Sequence, residues 1–383
     1  MSFRTAYAQY EGDGSVAGVE KAVASLKNQF SGFKVGRIIY FASIRFDPDA
    51  LAKAMQAAFP DIITVGSTSY GGEVDTHIFK DALVAMGFSD EVFDELYSGL
   101  LLGDGRQPAG RGQYASFDAL LQSFEKQIGR KVEDLDYHEY VGVVIASRMS
   151  PFTASVLERL GDVSDVLFTG GCAGDDLSFN KSLVFFDGLS LSNAILVIIA
   201  RPSKGFSLLK TQAFSLTDKV FAITRLDRDK DVIWEFDGRP AAEVLAEAIG
   251  IATDDLAGNI FGEYQLTIPV HNQILPQTIL DVVDNRGLRM FSPLFEGMRM
   301  TLAKATDIVE STAASLVEKK EEMGSVSAIL HFNCVLRHDT IVKKQLERQY
   351  GDLFKGIPTI ACSSNGEMNI GVVSQTSCML LFK

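Results

Sequence analysis

Most of the features that announce an enzyme, a membrane protein or a nucleic-acid binder are missing from this chain of 383 residues. No apolar run approaches the roughly twenty residues that span a bilayer. The start, Met1-Ser-Phe-Arg-Thr-Ala-Tyr-Ala-Gln-Tyr-Glu11, lacks the apolar core of a signal peptide, so no membrane insertion is expected and a cytoplasmic location is. Basic clusters are missing too, and 49 acidic residues against 36 basic ones give a formal charge of -13 that repels polyanions and argues against nucleic acid. Cysteine is sparse: Cys172, Cys334, Cys362 and Cys378 show no CxxC spacing and sit within or at the ends of apolar strands, as reduced, buried thiols do. None of the glycine-bearing loops ends in Gly-Lys-Ser/Thr, and His-Glu-x-x-His, Gly-x-Ser-x-Gly and a zinc-binding cysteine quartet are all missing. There is no extended low-complexity segment, while 46% hydrophobic and 22% charged residues describe a folded protein long enough for two or more domains.

What the chain does have is one pattern three times. Apolar runs break into small hydroxyl residues and glycine at Val65-Gly66-Ser67-Thr68-Ser69-Tyr70-Gly71-Gly72-Glu73, at Phe168-Thr169-Gly170-Gly171-Cys172-Ala173-Gly174-Asp175-Asp176, and at Ile360-Ala361-Cys362-Ser363-Ser364-Asn365-Gly366-Glu367. Each reads as a buried strand ending in a loop. Upstream of each lies another apolar run (37–43, 141–147, 328–334) and an amphipathic segment (50–59, 154–160, 341–350); downstream lies a further strand (82–88, 193–200, 376–382). Two strands flanking one short helix are most simply parallel, and their loops then gather at carboxyl ends of strands, where open α/β sheets bind ligands. The expected fold class is α/β, mixed with α+β features, built from repeated βαβ units in mixed sheets.

Around these repeats the spacing predicts helices over 16–30, 114–128 and 311–323, and a helix opened by Gly238-Arg239-Pro240-Ala-Ala-Glu243 with proline in its first turn. Residues 194–200 and 205–214 read as one strand pair, and 221–226 with 232–236 as another. Strands over 264–270, 277–283 and 287–291 form an antiparallel sheet joined by the Asp284-Asn285-Arg286-Gly287 turn. The expected division is into modules 1–225 and 226–383.

The loops carry the candidate chemistry. Glu73 and Glu367, read as equivalent positions, and Asp175 can accept an ammonium group or act as a base, or simply hold their loops by accepting backbone N–H bonds. Ser67, Thr68, Ser69, Ser363, Ser364 and Asn365 can donate to a small polar ligand, and Gly71 permits close backbone approach; turn chemistry accounts for such residues equally well. Cys172, a further ligand-binding candidate, and Cys362 lie in the loops without a nearby basic residue to stabilise a thiolate, so catalysis is not expected of them. Of five histidines, His271 between apolar strands and His331 inside the third repeat's first strand are the better candidates for the single iron ligand that a penta-coordinate haem needs.

Read together, the first loop, the second loop with Phe185-Phe186-Asp187-Gly188, Gly238-Arg239-Pro240-Ala241-Ala242-Glu243, Phe332-Asn333-Cys334-Val335-Leu336-Arg337, the third loop and Ser374-Gln375-Thr376 resemble the FIST family over nearly the full chain. At the close, Ser374-Gln375-Thr376 departs from the family's Asn-Gln-Thr. The resemblance implies an intracellular sensory module for small ligands such as amino acids, working with histidine kinases, chemoreceptors or cyclic-di-nucleotide enzymes. The chain has no kinase, methyl-accepting or GGDEF segment, which is similar to a stand-alone branch of haem-binding nitric oxide sensors that regulate a partner histidine kinase. The expectation is therefore a haem-based sensor with His271 or His331 on the iron, ahead of a haem-free amino-acid sensor and, behind both, a cysteine-dependent enzyme.

Overall fold

The computed structural model describes residues 2–148, 150–178, 181–258, 260–270, 273–291, 294–369 and 372–383. The chain forms two compact units. The first comprises 1–211, 313–372 and 376–383, and the second 212–312 with 373–375.

The first repeat opens with β1 (Phe3–Gln9), then α1 (Val16–Gln29), β2 (Arg37–Ser43), α2 (Pro48–Ala58), β3 (Thr64–Ser69), a hairpin β4 (Gly72–Val74) and β5 (His77–Phe79), and β6 (Ala82–Phe88). Both helices have the local signals that start them. Ser15 accepts the Gly18 N–H at the head of α1, and Asp47 accepts the Ala50 N–H beside Pro48 at the head of α2, satisfying donors that no helical turn can reach. Val19, Val23 and Leu26 of α1 and Leu51 and Met55 of α2 then bury against Ile38, Tyr40 and Ala42 of β2.

The second repeat has the same order: β7 (Phe93–Leu102), a short β8 (Gln113–Tyr114), α3 (Phe117–Ile128), β9 (Val141–Ala146), α4 (Pro151–Val163), β10 (Leu167–Cys172), hairpin β11 (Val184–Phe186) and β12 (Leu189–Leu191), and β13 (Ala194–Pro202). Phe117, Leu120 and Phe124 of α3 and Val156 and Leu160 of α4 pack on Val144 and Ala146.

The third repeat begins with β14 (Phe206–Gln212), and the second unit is inserted directly after it. That unit is antiparallel: β15 (Phe214–Asp227), β16 (Val232–Phe236), β17 (Arg239–Pro240), α5 (Ala241–Ile249), α6 (Ile260–Glu263), β18 (Tyr264–Val270), β19 (Gln273–Gln277), β20 (Ile279–Val283), β21 (Gly287–Met290) and β22 (Arg299–Ala305), in sheet order β19-β18-β22-β15-β16-β21-β20. Its core gathers Phe236, Leu245, Leu266, Leu288 and Leu302. The third repeat resumes with α7 (Ile308–Met323), β23 (Ala328–Cys334), α8 (Val335–Lys343), α9 (Glu347–Gly351), β24 (Thr359–Ser364), β25 (Glu367–Asn369), β26 (Val372–Val373) and β27 (Thr376–Phe382).

All three predicted crossovers are parallel pairs: β2 with β3, β9 with β10, β23 with β24. The sheets of the first unit run β1-β6-β2-β3-β11-β12, β8-β7-β13-β9-β10-β25-β26 and β14-β27-β23-β24-β4-β5. Every hairpin therefore leaves its own repeat and extends the sheet of another: the first goes to the third, the second to the first, the third to the second. This cyclic exchange ties the repeats into one body.

Two sequence expectations need correction. β13 and β14 are not a pair; β13 lies between β7 and β9, whereas β14 edges the third sheet. The helix expected over 341–350 is two short ones, the first starting at Val335, directly after β23. Among the described residues no helix is long and apolar enough to cross a membrane.

Candidate functional site

The register aligns the three sheets residue by residue, and one row differs in kind. Tyr40 pairs with Gly66, and Gly66 with Phe185. The equivalent row in the second sheet is Val144, Gly170 and Met368, and in the third it is His331, Ala361 and Glu73. Paired residues on neighbouring strands share a face, here the one covered by helices. Tyr40 and Phe185 stack at 5.1 Å, and Val144 and Met368 belong to the apolar core. In the third repeat the same place holds a buried acid and a buried base, His331 Nδ1 lying 3.6 Å from Glu73 Oε2.

The polar character continues along the sheet. Asn333, which stands where the other repeats have Ala42 and Ala146, donates from Nδ2 to Glu73 Oε1 at 2.8 Å and accepts from Arg337 Nε, one helical turn on, at 3.1 Å. His338, on the buried face of α8, brings Nδ1 within 3.2 Å of Glu73 Oε1 and 2.9 Å of Ser363 Oγ. Ser69 Oγ accepts the Ser363 N–H at 2.8 Å, and His331 Nε2 meets Ser377 Oγ at 2.6 Å. A carboxylate can only accept, so the Glu73 contact assigns a proton to His338 Nδ1, and in the neutral ring Nε2 is then an acceptor.

Both histidines are fully buried, yet His338 Nε2 and His331 Nδ1 find no hydrogen-bond partner among the described residues. Such atoms are uncommon in a folded interior and call for an explanation. Gly71 is what lets His338 sit there: a Cβ at 71 would lie 2.6 Å from His338 Nε2 and 2.7 Å from the Phe79 carbonyl oxygen. Tyr70, half-buried, covers the imidazole edge-on at 5.7 Å. Burial pushes the Glu73 carboxyl up, but the His338 hydrogen bond, the two imidazoles and the Asn333 amide outweigh it and hold the group below its ordinary value. Burial dominates at His331 and pushes it down to about 4, so this imidazole is neutral at pH 7.

The other sequence candidates fall into two groups. Glu367 is not the equivalent of Glu73. It pairs with Gly171, which corresponds to Cys362, one residue along and therefore on the opposite, inward face. There Ser364 Oγ donates to its Oε1 at 2.7 Å, and Thr376 donates N–H (3.2 Å) and O–H (3.0 Å) to Oε2. Burial nevertheless pushes Glu367 up to about 8. Ser67 Oγ and Cys362 Sγ meet at 3.6 Å on this inner face.

The second group fastens the three loops to one another. Tyr70 N–H donates to the Ser363 carbonyl, Gly174 N–H to Thr68, Cys172 N–H to Gly366 and Asn365 N–H to Cys172. Thr68 clips the Leu183 backbone, and Asp175 accepts from Leu177 N–H, Lys181 N–H and Ser178 Oγ while Asn365 Nδ2 reaches it at 3.4 Å. Cys172 is buried in the apolar core of the second repeat. Burial raises both loop thiols, Cys362 to about 12.

A haem iron needs an imidazole nitrogen that the porphyrin can reach. His331 does not fit: both faces of its sheet are packed, Nε2 is engaged by Ser377, and the ring is fully buried with Phe354 5.7 Å away. His271 lies outside the described residues. Among the described residues no group of three His, Cys, Asp or Glu is placed to hold a metal ion. Sequence reading missed His338, Asn333, Arg337 and Ser377. An available signal was the polarity of Asn333 and His331 within a strand that is apolar in the other two repeats.

The sequence matches the family model described as the FIST N domain over residues 37–239 and that of the FIST C domain over 241–369. Among curated proteins none matches. Solved structures it resembles include phosphoribosylformylglycinamidine synthase II from Thermotoga maritima, at 10% identity over 99% of this chain and 72% of that one with a TM-score of 0.23. Another is T. maritima PurL complexed with ATP, at 11% identity over 99% and 71% with a TM-score of 0.21; scores this low carry no argument. With the N-terminal model alone covering more than half of the chain, and the C-terminal one following it directly, this protein belongs to the FIST family.

Proposed function

We propose that this chain is a sensory ligand-binding protein whose ligand site is the polar row of the third repeat, and whose ligand is a small molecule bearing an amino group. FIST domains are associated with sensory signal transduction and small-ligand binding. The observation that carries the finer reading is the exchange of an apolar row for Glu73 and His331, with His338 beside them. An ionised carboxylate accepts, and so does Nε2 of a neutral His338, so the group that complements them is a donor, and an ammonium is the strongest one available to a metabolite. Glu73 keeps 5% of its side chain accessible while both imidazoles have none, so the carboxylate is the member of this trio met first from outside. A free amino acid satisfies this chemistry.

A signal requires the ligand to bind one arrangement better than another. Movement of Tyr70 from the edge of His338 as the ligand enters gives two such arrangements, differing at a surface residue that a partner such as a sensor histidine kinase can read. The alternative, a haem-based nitric oxide sensor acting on a histidine kinase, rests on the family resemblance and needs an iron ligand other than His331; His271 is the candidate. An absorption spectrum of protein titrated with haem separates the two, since a Soret band that disappears in His271→Ala supports the haem reading.

The direct test is a thermal-shift titration of the purified chain against free amino acids and simple amines. A saturable rise in melting temperature is expected for at least one, lost in Glu73→Gln and in His338→Asn. Equal stabilisation of the wild-type chain and Glu73→Gln would sink the assignment, as would no rise for any amine.

A further inference from the structure

We propose a second, chemically opposite site in the first unit: a pocket for one small apolar molecule of about the size of a single aromatic ring. It lies on the inward face of the three sheets, toward the strand ends away from the glycine loops. Ile39, Val143 and Leu330 are equivalent residues of β2, β9 and β23, and all three line a cavity of about 60 Å³.

The register explains why there is a cavity. Phe88 pairs with Arg37, Ala200 with Val141 and Phe382 with Ala328, which makes 88, 200 and 382 one position in three repeats. Two of them carry a phenyl ring and the third carries a methyl group. The space left at Ala200 is therefore ring-sized in origin, and Ala200, Phe88 and Phe382 all line it.

Its chemistry selects the occupant. Fourteen of the sixteen lining residues are apolar, Arg37 and Ser98 being the exceptions, and the Arg37 guanidinium donates to the Gly36 carbonyl at 2.7 Å. A water needs roughly 10–15 Å³ on this measure and two to four polar partners, so about four to six heavy atoms fit by volume but water lacks partners there. Phe382 meets Phe88 at 5.8 Å and Phe93 at 5.9 Å, both edge-on, the arrangement into which a further aromatic ring packs well. Val65 and Ile198, on the interior of their strands, keep 8% and 9% exposure, in keeping with open space beside them at the lining.

The experiment is a titration of methyl-labelled full-length protein with benzene, read by NMR. Saturable shifts are expected at the methyls of Ile39, Val143, Leu330 and Leu380, with Leu245 and Leu302 of the second unit unmoved. Ala200→Phe, which restores the ring of the other two repeats, is expected to abolish these shifts and the accompanying rise in melting temperature; Ala200→Leu serves as a second, milder filling. Absence of saturable shifts in the wild-type chain up to the aqueous solubility of benzene overturns the proposal. So do shifts centred away from the four cavity methyls, or unchanged binding in a folded Ala200 variant.

Discussion

Replacing Glu367 by glutamine should change how stability depends on pH in a way no other single substitution in the site does. Glu367 is fully buried, and burial raises its pKa from 4.5 to about 8 against the pull of Ser364 and Thr376. Between these values the unfolded chain has lost the proton that the folded chain keeps, so stability falls as pH rises, by about 1.4 kcal/mol per pH unit and roughly 5 kcal/mol in all. His331 works in the other direction. Its pKa drops from 6.5 to about 4, so between those values the unfolded chain holds the extra proton and stability rises with pH, by about 3 kcal/mol in all. From pH 4.5 to 6.5 the two slopes cancel; from 6.5 to 8 that of Glu367 stands alone and removes about 2 kcal/mol. In Glu367→Gln the loss above pH 6.5 should vanish and a rise between 4.5 and 6.5 should emerge. Urea denaturation of both proteins at half-unit intervals from pH 5 to 8 measures this. A stability difference between them that stays constant with pH would refute the argument, because it would mean that Glu367 is ionised in the folded chain throughout.

Glu73→Gln should destabilise by about 2–4 kcal/mol at pH 7, since it weakens charge-assisted bonds from Asn333 and His338, each worth roughly 1.5–3 kcal/mol; chemical denaturation reads this. Gly71→Ala should cost about 1–3 kcal/mol by driving a methyl group into His338 and the Phe79 carbonyl, and should move the His338 ¹⁵N resonances, which a merely looser loop would leave in place. Cys172 and Cys362 should resist iodoacetamide at pH 7.5 until the chain is unfolded, because both are buried and their thiols are raised; rapid labelling of the native protein would contradict this.

The three crossovers were legible because each consists of local signals: an apolar run, an amphipathic segment and a run ending in glycine, with a capping residue before the helix in the first two. The hairpin exchange was not, because which sheet edge receives β4, β11 or β25 depends on contacts between residues hundreds of positions apart. That explains the error over Glu73 and Glu367. Matching the Gly-Glu ending of each loop makes them equivalent, but Glu73 is read against Ala361 of another repeat and Glu367 against Gly171, and one residue of register reverses the face. His338 was hidden for a related reason. It was a lone histidine after a strand until α8 proved to begin at Val335, which turns it onto the buried side of the helix. Ser363 and Glu73 were named as candidates, although their meeting through His338 Nδ1 could be found only from the fold.

The case for function in the third repeat comes from comparison within one molecule. The same backbone positions have been filled three ways, and two of them show that packing needs no acid or base: Tyr40 with Phe185 closes its layer by ring stacking and Val144 with Met368 by apolar contact. Exchanging such a pair for a buried acid and base is neutral to unfavourable for stability, commonly by about 1–4 kcal/mol, since desolvation offsets the attraction. The third repeat goes further and leaves two imidazole nitrogens without partners among the described residues, where the first row leaves the single Tyr40 hydroxyl and the second row none. A fold that can be built without this acid and base holds them for what they bind; the acceptor character of Glu73, and of a neutral His338, is the reason that ligand should be a donor.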